Sequence, residues 1–73
     1  MKDKARQCII LALKNGYYIH ETRSLMLPDF TETIQYSMED IILSKEFFEQ
    51  LKEDNVITFY CSQGRTNVYG LKM

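Results

Sequence analysis

Ser37-Met38-Glu39-Asp40-Ile41-Ile42-Leu43-Ser44-Lys45-Glu46-Phe47-Phe48-Glu49-Gln50-Leu51-Lys52-Glu53-Asp54-Asn55-Val56-Ile57 is the stretch on which the fold turns. Ser37 through Asp40 fits the S-x-x-[DE] capping pattern, which predicts a short helix over about 38–43 carrying Ile41, Ile42 and Leu43. Ser44 reads as the cap of a second helix. Leu43 just before it and Phe48 at the fourth position are placed as a hydrophobic staple. Phe47, Phe48 and Leu51 form the apolar stripe of that helix, and Asp54-Asn55 closes it.

Downstream the period changes from 3.6 to 2. Ile57, Phe59 and Cys61 alternate with Thr58, Tyr60 and Ser62, and Val68-Tyr69-Gly70-Leu71 follows Gln63-Gly64-Arg65-Thr66-Asn67. Glycine first in Gly64-Arg65 suits a two-residue hairpin turn. That register pairs Cys61 with Val68 and Tyr60 with Tyr69.

Upstream, Ala5, Cys8, Ile9, Ala12 and Leu13 recur at helical spacing, with Asp3 as a cap and Asn15-Gly16 as a stop, which predicts a helix over 3–15. Ile10 and Leu11 lie off that face, so the helix calls for cover on its far side. Between 17 and 36, Tyr17-Tyr18-Ile19 has strand composition and Phe30 to Tyr36 alternates. Leu25-Met26-Leu27 precedes the turn signal Pro28-Asp29. Two readings stay open here: a β-hairpin with strands near 18–27 and 30–36, or one strand followed by an irregular loop.

Seventy-three residues, 45% apolar and 26% charged, make one globular domain over 1–73 near the lower size limit for independent folding. Chains of this size commonly gain stability from a second copy, and a homodimer through helix one or the 17–36 segment is expected. Cys8 and Cys61 read as reduced, semi-buried hydrophobes rather than a disulfide. The five-residue apolar run Ile9–Leu13 has no cleavage site after it and is no secretory signal, and no stretch approaches the length that crosses a bilayer. A cytoplasmic chain is expected.

The run from Ser44 to Ile57 resembles the third helix of winged helix-turn-helix domains leading into the first wing strand. The predicted 38–43 helix then corresponds to the second helix of that motif, residues 3–16 to the opening helix, and Ile57–Leu71 to the wing, with Arg65 at its tip. The resemblance covers residues 3–16 and 37–72 and departs from the family at 17–36, where the family usually has one short strand. It implies an α+β fold of three helices with a C-terminal β-hairpin wing, to which the residues of 17–36 add an expected extra hairpin.

It also implies a small DNA-binding protein, a transcriptional regulator. In such domains the third helix enters the major groove and the wing reaches phosphates or the minor groove. Ser44, Lys45 and Gln50 would then face base edges, while Lys4, Arg6 and Arg65 hold the backbone of duplex DNA. The charges complicate this. Net charge is −1, and residues 37–56 set six carboxylates against Lys45 and Lys52, a net of −4. Glu46, Glu49 and Glu53 line the polar face of the would-be reading helix, where phosphates would be repelled. The alternative is a non-catalytic adaptor or inhibitor that docks this acidic helix on a basic, nucleic-acid-handling protein, with Tyr60 and Tyr69 as further contacts.

Enzymatic chemistry is not expected. His20 is the only histidine, and nucleophilic catalysis needs a base and an orienting partner. The spacing of Cys8, His20 and Cys61 matches no zinc pattern, and the three glycines form no phosphate loop, so neither metal nor cofactor is expected.

Overall fold

In the computed structural model the backbone is described for residues 2–72 and the side chains for residues 4–72. The side chain of Asp3, the expected cap of the first helix, lies outside the described residues. The chain runs α1 (Lys2–Lys14), β1 (Ile19–Met26), β2 (Thr31–Met38), β3 (Ile41–Leu43), α2 (Lys45–Glu53), β4 (Ile57–Gln63) and β5 (Thr66–Leu71). All five strands form one antiparallel sheet in the order β3-β2-β1-β5-β4.

This corrects the fold expectation. The architecture is two helices on a five-stranded sheet, not three helices with a C-terminal wing. The missing helix is the one at 38–43. Tyr36 and Met38 continue the alternation of β2 into the core, Glu39-Asp40 turns the chain, and Ile41–Leu43 returns as β3 against Tyr36–Met38. Glu39 makes that turn at φ 52, the left-handed region. A helix of about six residues has too few internal hydrogen bonds to offset its nucleation cost. Two consecutive isoleucines at the edge of an existing sheet tip the balance further toward strand. Ser37 therefore lies in the sheet between His20 and Ile42 instead of capping anything.

The other expectations meet the structure more closely. Ser44 caps α2, its Oγ accepting from the Phe47 N–H at 3.1 Å. The 17–36 segment is a hairpin, with His20–Met26 paired to Thr31–Ser37. The Gly64-Arg65 turn pairs Gln63 with Thr66 and Cys61 with Val68 as expected, but Tyr69 faces Phe59, because a bulge between Phe59 and Cys61 takes up Tyr60. The bulge shifts the alternation, so Cys61 crosses to the face opposite Ile57 and Phe59.

The core lies between one sheet face and both helices. Ile9 and Leu13 from α1, Phe48 and Leu51 from α2, and Ile19, Tyr36, Met38, Leu43, Ile57 and Tyr69 from the strands form one cluster. Phe48 sits at its centre, stacked on Tyr36 with ring centroids 4.2 Å apart and edge-on to Tyr69 at 5.0 Å. Cys8 is exposed, not semi-buried, and Leu11 faces solvent on the far side of α1.

Candidate functional site

The β1–β2 hairpin is longer than the body that supports it. Its foot is held by a buried polar group: Glu21 is 8% exposed and its Oε1 accepts from Asn67 Nδ2 at 3.0 Å. The Tyr36 phenol faces the same carboxylate. Burial, reinforced by the negative charge of Glu21, raises its pKa above the ordinary tyrosine value. One step outward, Thr22 meets Thr66 hydroxyl to hydroxyl at 3.3 Å, and the Arg23 N–H donates to the Arg65 carbonyl at 3.1 Å. Past that bond β5 ends and the hairpin continues alone.

Every residue from Arg23 to Gln35 is exposed. This arm, turning through Leu27–Phe30, carries Leu25, Met26, Leu27, Phe30 and Ile34, all exposed large apolar side chains. A two-stranded ribbon with both faces in water is marginally stable, and apolar side chains clustered on it mark a contact surface.

The sheet also has one face without a helix. By strand alternation that face presents His20, Thr22, Ser24 and Met26 from β1, Thr31, Thr33, Gln35 and Ser37 from β2, Ile42 from β3, Thr58, Cys61 and Gln63 from β4, and Thr66, Val68 and Gly70 from β5. None is Lys, Arg, Asp or Glu. All strand charges (Glu21, Arg23 and Glu32) point to the helix side. Tyr18 stacks on Tyr60 at 4.9 Å over Gly70, where an added Cβ would lie 3.1 Å from the Tyr18 ring.

The residues expected to touch DNA do not converge. Arg6 donates to Asp54 at 2.6 Å, which ties α1 to the end of α2, and Gln50 also donates to Asp54. Ser44 is occupied as a cap. Lys4 and Lys45 are exposed on different helices. Arg65 sits in the turn at the far end of β4 from Asp54, beside Arg23 and about 20 Å away along the seven-residue strand. Of the expected protein contacts, Glu46, Glu49 and Glu53 are exposed on α2 and Tyr60 is exposed on β4, whereas Tyr69 is 9% exposed and belongs to the core. The arm is the feature missed from sequence. Its signal is Leu25-Met26-Leu27, an apolar triplet running straight into the Pro28-Asp29 turn, where polar residues usually stand.

The Arg6–Asp54 pair has a pH signature. Hydrogen bonds from Arg6 and then Gln50 hold the Asp54 carboxyl below its ordinary value of 3.8. A depressed folded-state pKa contributes stability above the unfolded value and loses it as pH falls through the folded one. Thermal melts between about pH 3 and 6 should therefore fall less steeply for Asp54→Asn than for the parent. Identical slopes would show that the pair is not coupled to folding.

His20 and Cys61 flank Val68 on opposite sides in the same row of the sheet, so a full strand separates the imidazole from the thiol. Among the described residues no His, Cys, Asp and Glu side chains gather as a metal site, and no helix is long and apolar enough to cross a membrane. No protein family, curated protein or solved structure compared with this chain matches it.

Proposed function

We propose that this protein is a non-catalytic protein-interaction module that docks through its β1–β2 arm. The carrying observation is the arm itself: Arg23–Gln35 stands clear of the body with Leu25, Met26, Leu27, Phe30 and Ile34 in water. Covering such a ribbon removes apolar surface at about 25 cal/mol per Å² and adds the third and fourth strands that a free hairpin lacks.

Charge favours a protein partner over nucleic acid. The arm sets Arg23 against Asp29 and Glu32, and the helix-free sheet face carries no lysine or arginine. Affinity for duplex DNA rests on lysine and arginine contacts to phosphate, and among the described residues Arg6 is paired with Asp54 while Lys4, Lys45 and Arg65 lie on different elements.

A photoreactive side chain at position 27 tests the reading in cells. Protein adducts should form from position 27 and not from a control at position 14, and the purified protein should not bind random duplex DNA at about 50 mM salt. Nucleic-acid adducts at position 27 with no protein adducts, joined by DNA binding with a steep salt slope, would overturn it.

A further inference from the structure

We propose that the arm's partner is a second copy of this chain, joined edge to edge along residues 31–35 of β2. This deepens the reading of the arm as a docking element and rests on it.

β3 pairs only with Tyr36, Ser37 and Met38, so Thr31–Gln35 has β1 on one side and, among the described residues, no strand on the other. This free edge (Thr-Glu-Thr-Ile-Gln) contains no proline and only one charge. Open edges of this kind recruit another strand, and the opposite sheet edge, β4, is interrupted by its bulge.

Two such edges fit antiparallel about Thr33. Thr33 then faces Thr33 of the second copy, Thr31 faces Gln35, and Glu32 faces Ile34, so all five free residues pair and no like charges oppose. Shifting the two-fold centre to residue 32 sets Glu32 against Glu32. Shifting it to residue 34 leaves only three pairs before β3 blocks the edge. The Thr33 register is therefore the one that uses the whole edge with no like charges directly opposite, the two Glu32 side chains lying diagonally.

The known β1–β2 register extends the match by one strand. Arg23 is the partner of Ile34, and Leu25 is the partner of Glu32. Across the joint, one row on the helix side reads Arg23, Ile34, then Glu32 and Leu25 of the second copy. Its symmetry mate repeats this two residues along. Each arginine thus flanks a carboxylate of the other chain across one isoleucine, about 10 Å between backbones and within reach of the two side chains. The two isoleucines are diagonal neighbours. The paired arms form a four-stranded antiparallel ribbon, above the three-strand threshold that each arm misses alone. The two-fold axis is perpendicular to the sheet, so the charge-free faces join into one surface.

The charge pattern supplies the test. Sedimentation equilibrium is run on the wild-type chain, on Arg23→Glu, on Glu32→Arg, and on an equimolar mixture of the two variants, at about 50 µM chain. Both positions are exposed on the arm, so each variant keeps the core. The wild type should be a dimer. Either variant alone places like charges across the joint and should dimerise at least 10-fold more weakly. The mixture pairs opposite charges at both places and should recover the heterodimer. Ile34→Pro, which removes a backbone N–H that faces the open edge and not β1, should be monomeric with an unchanged helix signal.

A monomeric wild type overturns the proposal, as does a dimer that ignores all three substitutions. Protein adducts at position 27 from a chain that sediments as a monomer would leave the docking arm in place and remove the second copy as its partner.

Discussion

Replacing Phe48 with alanine is expected to remove a large share of the stability of the chain. Its ring is 1% exposed and packs on Tyr36 and Tyr69 while closing the gap between α2 and the sheet. Truncating a buried phenylalanine costs about 3–5 kcal/mol, from the lost transfer energy and the cavity left behind. The whole stability of a 73-residue domain is of the order of 4–11 kcal/mol, so one side chain accounts for much of it. Urea melts followed by far-ultraviolet circular dichroism measure the loss, with Phe48→Leu as the milder comparison. A loss under about 1 kcal/mol for the alanine variant would mean that the core is not organised around this ring.

The second large effect is on association. Ser24 and Thr33 are cross-strand partners, so residues 25–32 can be replaced by Asn-Gly, which closes the shortened strands in a two-residue turn. The trimmed chain keeps every core residue and should melt close to the parent. It should lose all capture of the protein partners that cross-link to position 27. Retained capture would move the docking surface off the arm, and the uncharged sheet face or the acidic side of α2 would then be its place. Loss of the fold itself would show that the foot at Glu21, Asn67 and Tyr36 needs the arm above it, and hydrogen exchange at those amides reads that directly.

Much of the local structure was legible in the chain. Helix α1, the cap and stripe of α2, the 17–36 hairpin and the Gly64-Arg65 turn all follow from short-range rules: a capping oxygen, a 3.6-residue stripe, a glycine at a turn. The expectation of a third helix failed at Ser37–Leu43, where two short-range rules conflict. A capping pattern favours helix and a pair of isoleucines favours strand. Seven residues are too few for either rule to win alone. The edge that β2 presents through its pairing with β1 decides for strand.

The site was less legible than the fold. Place in a motif points these residues at DNA or at a basic partner, and the structure disperses them: Arg6 and Gln50 to Asp54, Ser44 to its own helix, Tyr69 to the core. The arm went unread because exposure is a property of what does not pack, and composition cannot report it. Leu25, Met26 and Leu27 look like core until it is known that β5 stops at Thr66 and that neither helix reaches them.

The sequence by itself determined helix α1, the Ser44 cap of α2 and the turn at Gly64-Arg65, since those outcomes depend on neighbours within about four residues. Only the tertiary structure decided that Ser37–Leu43 is an edge of a sheet, that Cys61 changes face across a bulge, and that the hairpin outruns its support. Each depends on which strand lies alongside, and strand pairing is set by residues far apart in the chain competing for the same backbone hydrogen bonds.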